Sequence, residues 1–442
     1  MWQKLRLLWG IHDIRRKFLL TSGLLLVFRV LAHIPVPLTA YQREQLLALM
    51  QNTQSTQGQL LSFFNLFSGG ALQNFSLVAL GIYPYITATI VVQLLTPLIP
   101  ALQRMQEAGE RGKQQLMQMT RLCAVPLAFL QALSQTALLA NIGVLDPATF
   151  NLFGAHWLQT LAILLSLTAG TIILIWLAEL ITEHGIGNGT SIIIVAGILS
   201  SLPGSIQRTI LSLFTSGGNG SSVVTLAALF LLLLLLLLSM VYMYSGQRRV
   251  PVSYPTKRNK LHAFRHTTFL PMQVNSVGMI PLIFAQAFLL FPHTIGQLLA
   301  GSQLPWAREA GRWITLYLSN PTTWYYWLIY AVLTAAFTYF YTYVQWQQQN
   351  IAESLQKQGA IIEGYRPGEA TNRYLSRILS RITFGGALFL CCMVVLPTFF
   401  QIGGNIPVNS SSLLIAVGVI LDTLRQLNAQ VVARNYSGFL SE

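Results

Sequence analysis

Long apolar windows separated by shorter polar connections run through the whole chain. Most windows have close to the twenty residues that an α-helix needs to cross a hydrocarbon core. Their pattern predicts ten membrane-spanning helices, and therefore an all-α polytopic membrane protein. The windows lie at about 18–37, 76–98, 119–143, 157–181, 187–203, 222–245, 274–295, 323–345, 383–402 and 408–432.

One apolar segment is too short to span. Residues 60–72 make about half a crossing and contain the pair Gly69-Gly70, and a full-length apolar segment follows from Leu77 to Leu98. A broken element of this kind is tolerated at membrane depth only where the backbone lines a cavity inside the protein. We therefore predict a glycine-hinged half-helix plug at residues 60–72 and a pore wall in the segment that follows it.

The distribution of charge predicts the orientation. Only 9% of the residues are charged and 53% are hydrophobic, and the formal net charge is +14. With the N-terminus inside, 22 of the 27 Lys and Arg residues fall in loops on the inner side. By the positive-inside rule both termini are cytoplasmic, and nucleic-acid binding is not needed to explain the basic balance. Two inner loops, 246–270 and 346–381, are longer than connections require and predict a platform for a soluble partner.

Ten spans divide into two sets of five, and an odd number in each half makes the halves cross in opposite directions. We predict an N-terminal half at residues 1–205 and a C-terminal half at 206–442. A local trace of this inverted repeat is found in the second and seventh spans, where Gly81-x-x-Pro84-x-Ile86 recurs as Gly278-x-x-Pro281-x-Ile283.

Catalytic chemistry is not indicated. The sequence has no HExxH, no GxSxG and no phosphate-binding glycine loop with its Lys, so we expect no enzyme activity, no cofactor and no metal site. Buried carboxylates often mark ion or proton paths in carriers. Only Glu179 and Asp422 lie near a span interior, and both are interpreted as members of structural ion pairs near helix ends.

Isoleucine occupies the middle of several spans. Ile82 and Ile86 lie one turn apart, as do Thr190 and Ile194, while Ile283 and Ile415 hold similar places in spans seven and ten. Packing in the core or against lipid is the alternative, but four such spans around a broken helix favour a hydrophobic constriction. Polar residues of the second span, Thr87, Thr89 and Gln93, need partners and are expected to line a seam.

Several motifs resemble the SecY family of protein-conducting channels. They are the run Phe64 to Leu72 with Gly81 to Ile86, the run Glu183 to Ile194, Leu270-Pro271 with Gly278 to Phe284, and Arg366 to Glu369. The resemblance implies the following site residues. The plug contains Phe64, Asn65, Phe67, Ser68, Gly69 and Gly70; the pore ring is Ile82, Ile86, Ile194, Ile283 and Ile415; the lateral gate has Thr87, Gln93 and Asn275; and partner docking uses Arg248, Arg249, Lys257, Arg258 and Arg366.

The same resemblance implies a function. A member of this family is expected to be the central channel subunit of a Sec translocase, which moves unfolded polypeptides across the membrane and releases transmembrane segments through the lateral gate. Implied partners are SecE-like and SecG-like subunits, the SecA motor ATPase or the ribosome, signal peptides, nascent chains and lipid. A bacterial-type inner membrane is expected, with a thylakoid membrane as the alternative. A secondary carrier for a small solute and a non-transporting scaffold remain as rival functions.

Overall fold

A computed structural model describes the chain over residues 12–36, 44–46, 65, 68–141, 157–215, 221–253, 267–274, 278, 280–300, 304–317, 323–349, 351–362, 364–402 and 415–427. Its elements, in chain order, are α1 (His12–Leu31), α2 (Tyr83–Leu95), α3 (Pro100–Glu107), α4 (Glu110–Asn141), α5 (Trp157–His184), α6 (Gly189–Thr215), α7 (Ser221–Ser245), β1 (Gln247–Ser253), β2 (Thr267–Gln273), α8 (Ile280–Ala300), α9 (Pro305–Tyr317), α10 (Trp324–Gln349), α11 (Ile351–Lys357), α12 (Glu369–Ile402) and α13 (415–427).

Each of the ten predicted windows overlaps one of these helices. Within the described residues, four helical segments are long and apolar enough to cross a membrane: Arg111–Ala140, Trp157–His184, Trp324–Lys357 and Glu369–Val395. A fifth candidate is the bent pair formed by α2 and α3. The predicted helical architecture is thus observed, and the number of ten crossings stays a prediction.

Contacts group the chain into two compact units. The first contains Met1–Asn219, Gln286–Trp327 and Asn405–Glu442, and the second contains Gly220–Ala285 and Leu328–Gly404. These units describe packing, whereas the predicted halves 1–205 and 206–442 describe an internal repeat. The boundary between the halves therefore stays a prediction.

The core of the first unit forms where α4, α5 and the segment before α2 meet. Phe75, Leu139, Leu164 and Leu167 are fully buried in one cluster there. Gly170 of α5 makes this packing possible, because a Cβ at its position would lie 1.9 Å from the carbonyl oxygen of Leu77. The backbone that precedes α2 thus packs directly on the backbone of α5.

The second predicted span begins later than the apolar window suggests. Residues 70–82 form successive turns, and the helix α2 begins only at Tyr83. Hydrogen bonds tie these turns to the end of the first span: the amide of Leu77 donates to the carbonyl of Ile34, and the amide of Val36 donates to the carbonyl of Phe75, both at 3.0 Å. The window 76–98 was therefore wrong as a single helix, because hydropathy does not distinguish buried turns from a buried helix.

The helix α2 is also short. Its thirteen residues rise only roughly 20 Å, and α3 then leaves at an angle of 104°. Pro100 begins α3, and the preceding Ile99 is extended with φ −106° and ψ 111°. This conformation is the one that a residue before proline favours, so the sequence places the bend where it occurs.

In the second unit, the inner loop at 246–270 contains a β-hairpin that the sequence reading missed. Strands β1 and β2 pair antiparallel, with Val250 opposite Leu270. The hairpin is extended by Ser253 and Ile361, whose backbones exchange two hydrogen bonds of 2.9 Å. The alternation of buried Val250 and Val252 with exposed neighbours is the signal that a half-buried strand leaves in a sequence.

Candidate functional site

The two repeat motifs have the same local geometry. Gly81 (φ +62°) and Gly278 (φ +70°) both adopt the left-handed conformation, which glycine reaches without the steric cost of a Cβ. In each motif the helix begins two residues later, at Tyr83 or Ile280, with proline as its second residue. Proline suits the first turn of a helix because the N–H that it lacks would have no acceptor within the helix there. The two motifs, which were predicted as a repeat from three matching residues, therefore also share their backbone conformation.

The five isoleucines of the predicted ring are all buried. Their exposed fractions are 1% for Ile82, 6% for Ile86, 3% for Ile194, 6% for Ile283 and 2% for Ile415. Burial excludes the lipid-facing alternative, but it is shared by core packing and by a pore ring and does not distinguish these two. Four of them belong to the first compact unit and Ile283 belongs to the second, so the closure of the ring stays a prediction.

The described part of the predicted plug is a compact turn built around Asn65. The carbonyl of Asn65 accepts hydrogen bonds from the amide of Gly70 (2.8 Å) and the hydroxyl of Ser68 (3.1 Å). Its side-chain oxygen accepts from the amide of Gln73 at 3.1 Å, and Ser68 Oγ accepts from the amide of Leu72 at 3.1 Å. Phe64 and Phe67 lie outside the described residues, as do residues 60–63.

The predicted glycine hinge sits in a narrow space between α1 and α6. A Cβ on Gly69 would lie 2.8 Å from Phe28 Cζ and 2.9 Å from the Cα of Gly197. The carbonyl of Gly69 accepts a hydrogen bond of 3.0 Å from Arg29 Nη1. Arg29 falls within the first predicted span, 18–37, and its charge inside an apolar segment is the sequence signal that it needs a partner.

The predicted gate residues satisfy their polar groups in different ways. Thr87 donates to the carbonyl of Tyr83 (3.1 Å) and Thr89 to that of Tyr85 (2.8 Å), so both hydroxyls bond within their own helix. Both hydroxyls thus have the partners that they need, and their place along a seam stays a prediction. Gln93 is half-buried, and its Oε1 has no hydrogen-bond partner among the residues that the structure describes. Asn275 is not among the described residues.

A contact that the sequence did not predict links the second and seventh spans inside the first unit. The hydroxyl of Tyr83 donates a hydrogen bond of 2.9 Å to the carbonyl of Ala287 in α8. Tyr83 is 3% exposed and Ala287 is 2% exposed. The motif that carries Ile82 at the start of α2 is thus joined to the helix whose start carries Ile283.

Comparison with known proteins decides the family. The family model described as SecY matches residues 76–424 of this chain. The chain belongs to the SecY family. It is 38% identical over 437 residues to the protein translocase subunit SecY of Mycobacterium bovis, covering 97% of both chains. It is 37% identical over 454 residues to the subunit of the same name from Halalkalibacterium halodurans, covering all of both chains.

Solved structures of SecY and Sec61 channels have the same fold. A structure of a protein-conducting channel matches with a TM-score of 0.64 at 17% identity, covering 96% of this chain and 94% of that one. A structure described for the plug domain of the SecY protein matches with a TM-score of 0.66 at 18% identity and the same coverage. The predicted family and fold class are therefore confirmed, as is the predicted functional class, a SecY-type translocase subunit.

In this SecY chain the two long inner loops fold against one another within the second unit. Val250, Val252 and Met272 of the hairpin share a buried cluster with Leu355, Ile362, Leu375 and Ile378 of the loop at 346–381. Arg248, Arg249 and Arg366 are exposed at the surface of this layer, which we call the cytoplasmic platform after its predicted side (247–253, 267–273, 351–362 and 364–382). Lys257 and Arg258 fall in the part of the loop that is not described.

The two carboxylates that the sequence places near span interiors each have a basic neighbour. Glu179 of α5 forms an ion pair with Arg121 of α4. Asp422 and Arg425 interact one turn apart in α13. Among the described residues, no group of three His, Cys, Asp or Glu side chains is arranged to hold a metal ion.

Proposed function

We propose that this chain is the central subunit of a Sec translocase and that its own helices form the conduit for unfolded secretory polypeptides. The observation that carries the proposal is the match to translocase subunits over nearly the full length of both chains. Fold similarity alone would not decide it, because one fold can host different functions.

The isoleucine ring is proposed as the seal of this conduit. Ile82, Ile86, Ile194, Ile283 and Ile415 are apolar, buried and placed on four different helices or helix starts. An apolar constriction excludes water and ions by dewetting, yet branched side chains give way to an extended polypeptide. This property suits a channel that must pass many sequences without leaking.

The lateral exit is proposed to lie between α2 and α8. Gln93 and Asn275 would lie along this exit, and the hydrogen bond from Tyr83 to Ala287 joins the first residue of α2 to the eighth residue of α8. A signal peptide that enters here must break the bond and displace the plug at 60–72. A transmembrane segment would leave for lipid by the same route.

The cytoplasmic platform is proposed as the docking surface for the energy source. One solved structure of the same fold is Sec61 in the canine ribosome–channel complex from the endoplasmic reticulum, which matches with a TM-score of 0.62 at 16% identity. Exposed Arg248, Arg249 and Arg366 suit carboxylates or phosphates. We assign energy supply to a SecA-type motor ATPase or the elongating ribosome, and not to this chain.

SecE-like and SecG-like subunits are proposed as the other membrane partners. The proposed location is a bacterial-type inner membrane, with both termini in the cytoplasm. This orientation follows from the concentration of Lys and Arg in the predicted inner loops.

A transport assay separates this function from its rivals. Vesicles containing the chain with its small subunits and motor are given a secretory precursor, and the fraction protected from added protease is measured. A translocase subunit protects the precursor in an energy-dependent manner, and vesicles without the chain do not. A solute carrier or a scaffold gives background protection, which would refute the proposal.

A further inference from the structure

A single positive charge interrupts the apolar stretch of α1. Arg29 lies between hydrophobic residues, eleven positions after Phe18, and is half-buried. A guanidinium in this setting needs hydrogen-bond acceptors or a counter-ion, because its transfer from water is costly. Within the described residues its acceptors are neutral: Nη1 donates to the carbonyl of Gly69 and to Ser200 Oγ, each at 3.0 Å.

The geometry around Ser200 shows which group donates to Gly69. A serine hydroxyl has one proton, and Ser200 Oγ lies 2.7 Å from the carbonyl of Gly197 but 3.2 Å from that of Gly69. The shorter contact takes the proton, so Ser200 accepts from Arg29 and donates within its own helix. Ser200 therefore orients the guanidinium, while Arg29 supplies the charged hydrogen bond to Gly69.

The fit of the backbone at Gly69 makes this bond specific. Gly69 has φ +71° and approaches Gly197 so closely that any Cβ would clash with it. Because there is no side chain between the two backbones, the Gly69 carbonyl reaches the pair formed by Arg29 and Ser200. Arg29 and Ser200 belong to helices of the same compact unit, α1 and α6.

We propose that Arg29 is the positioning residue of the plug, and that its hydrogen bond to the Gly69 carbonyl holds the channel shut. This inference rests on the proposed function. When the plug leaves, the Gly69 carbonyl loses a charged donor and Arg29 loses one of the two acceptors that it has among the described residues. A charged hydrogen bond of this kind shifts an equilibrium by roughly 10- to 100-fold, so Arg29 sets how often the resting plug opens.

The test measures how accessible the plug is to an impermeant maleimide. The three native cysteines are replaced by Ser, and Ser68, which is 1% exposed, is changed to Cys as the reporter. Arg29→Gln is expected to raise the alkylation rate roughly 10- to 100-fold, and Ser200→Ala to raise it less. Arg16→Gln removes an exposed charge from the same helix and should leave the rate unchanged.

A reporter at Thr168→Cys in α5, which is 6% exposed, detects general loosening of the fold. Faster alkylation at position 68 with an unchanged rate at position 168 supports the proposal; equal increases at both positions overturn it. Unchanged alkylation at position 68 in Arg29→Gln overturns it as well. If Arg29→Gln does not accumulate, Ser200→Ala decides, and its failure to accelerate alkylation counts against the proposal.

The outcome is separable from the proposed function. If the chain is not a translocase, the wild-type vesicles fail to protect a secretory precursor, whatever the alkylation rates are. If only the plug contact is wrong, wild-type vesicles translocate normally and Arg29→Gln behaves as the wild type does in both assays.

Discussion

Tyr83 and Ala287 are 204 positions apart in sequence and are joined by one hydrogen bond of 2.9 Å between a phenol hydroxyl and a backbone carbonyl. Both residues are almost completely buried. The Ala287 carbonyl belongs to α8, so the bond connects two helices that the sequence assigns to opposite halves. We interpret it as a hydrogen bond that holds the proposed lateral gate closed.

Tyr83→Phe should weaken the contact between α2 and α8. The substitution keeps the ring but removes the donor of the hydrogen bond between the two helices, a bond that typically contributes about 0.5–1.5 kcal/mol. The gate should therefore open more readily, and a signal peptide should crosslink faster to a cysteine at position 93. Thr89→Val is the matched control, because the Thr89 hydroxyl bonds within its own helix. Equal crosslinking rates in Tyr83→Phe and wild type would show that the bond does not restrain the gate.

Polar substitution of the isoleucine ring should make the channel leak. Asn at positions 82 and 86 replaces two buried apolar side chains with amides that hydrogen-bond water, so the constriction should hydrate. We expect raised resting ion conductance in planar bilayers. Ile→Val at the same positions keeps the apolar character and should stay near the wild-type conductance. A ring with no role in sealing predicts the same conductance for the Asn and Val variants.

Gly170→Ala should destabilise the first unit. Its Cβ would lie 1.9 Å from the carbonyl oxygen of Leu77, and neither backbone has room to shift without disturbing the core around Phe75. Overpacking of this kind costs typically about 1–3 kcal/mol, sometimes more, and should lower the melting temperature measured by intrinsic fluorescence. Gly23→Ala is the matched control in α1, where a Cβ meets nothing within 4 Å. Similar melting temperatures for both variants would contradict the close packing.

Leu375→Ala should loosen the cytoplasmic platform. Leu375 is fully buried in the cluster that joins the hairpin to α12, and removing a buried leucine typically costs about 2–5 kcal/mol. Limited proteolysis should then cut the loops at 246–270 and 346–381 faster. Leu388→Ala in the same helix, where the side chain is 55% exposed, should leave the proteolysis rate unchanged. If Leu388→Ala accelerates cleavage as much as Leu375→Ala does, the platform is not a separately packed layer.

Hydropathy and the glycine and proline positions predicted much of this molecule. Hydropathy gave ten apolar windows, and each of them overlaps a helix of the structure. The paired motifs at Gly81 and Gly278 marked two helix starts that have the same backbone geometry. These features are local. A glycine in the left-handed conformation followed three residues later by proline favours a turn and a helix start through the backbone preferences of those two residues.

Other features depended on residues far apart in sequence. The Arg29 hydrogen bond to Gly69, the Tyr83 hydrogen bond to Ala287 and the packing of Leu77 on Gly170 each require tertiary structure. The prediction for the loop at 246–270 used only its charge and its length, so it did not include the hairpin. The alternating apolar residues of β1 are the pattern that indicates a strand there. The isoleucines were predicted to form a constriction; the structure shows that they are buried, and the ring itself stays a prediction.

The account depends on a polypeptide passing the isoleucine ring. The most direct measurement stalls a secretory chain during translocation and tests its disulfide crosslinking to a single cysteine at position 86 or position 283. Cysteine at position 122 is the control, because Leu122 is 73% exposed on the outside of α4.

We predict crosslinks at positions 86 and 283 that require both a signal sequence and stalling, with none at position 122. Absence of crosslinks at positions 86 and 283, or equal crosslinking at all three positions, would contradict the proposed path.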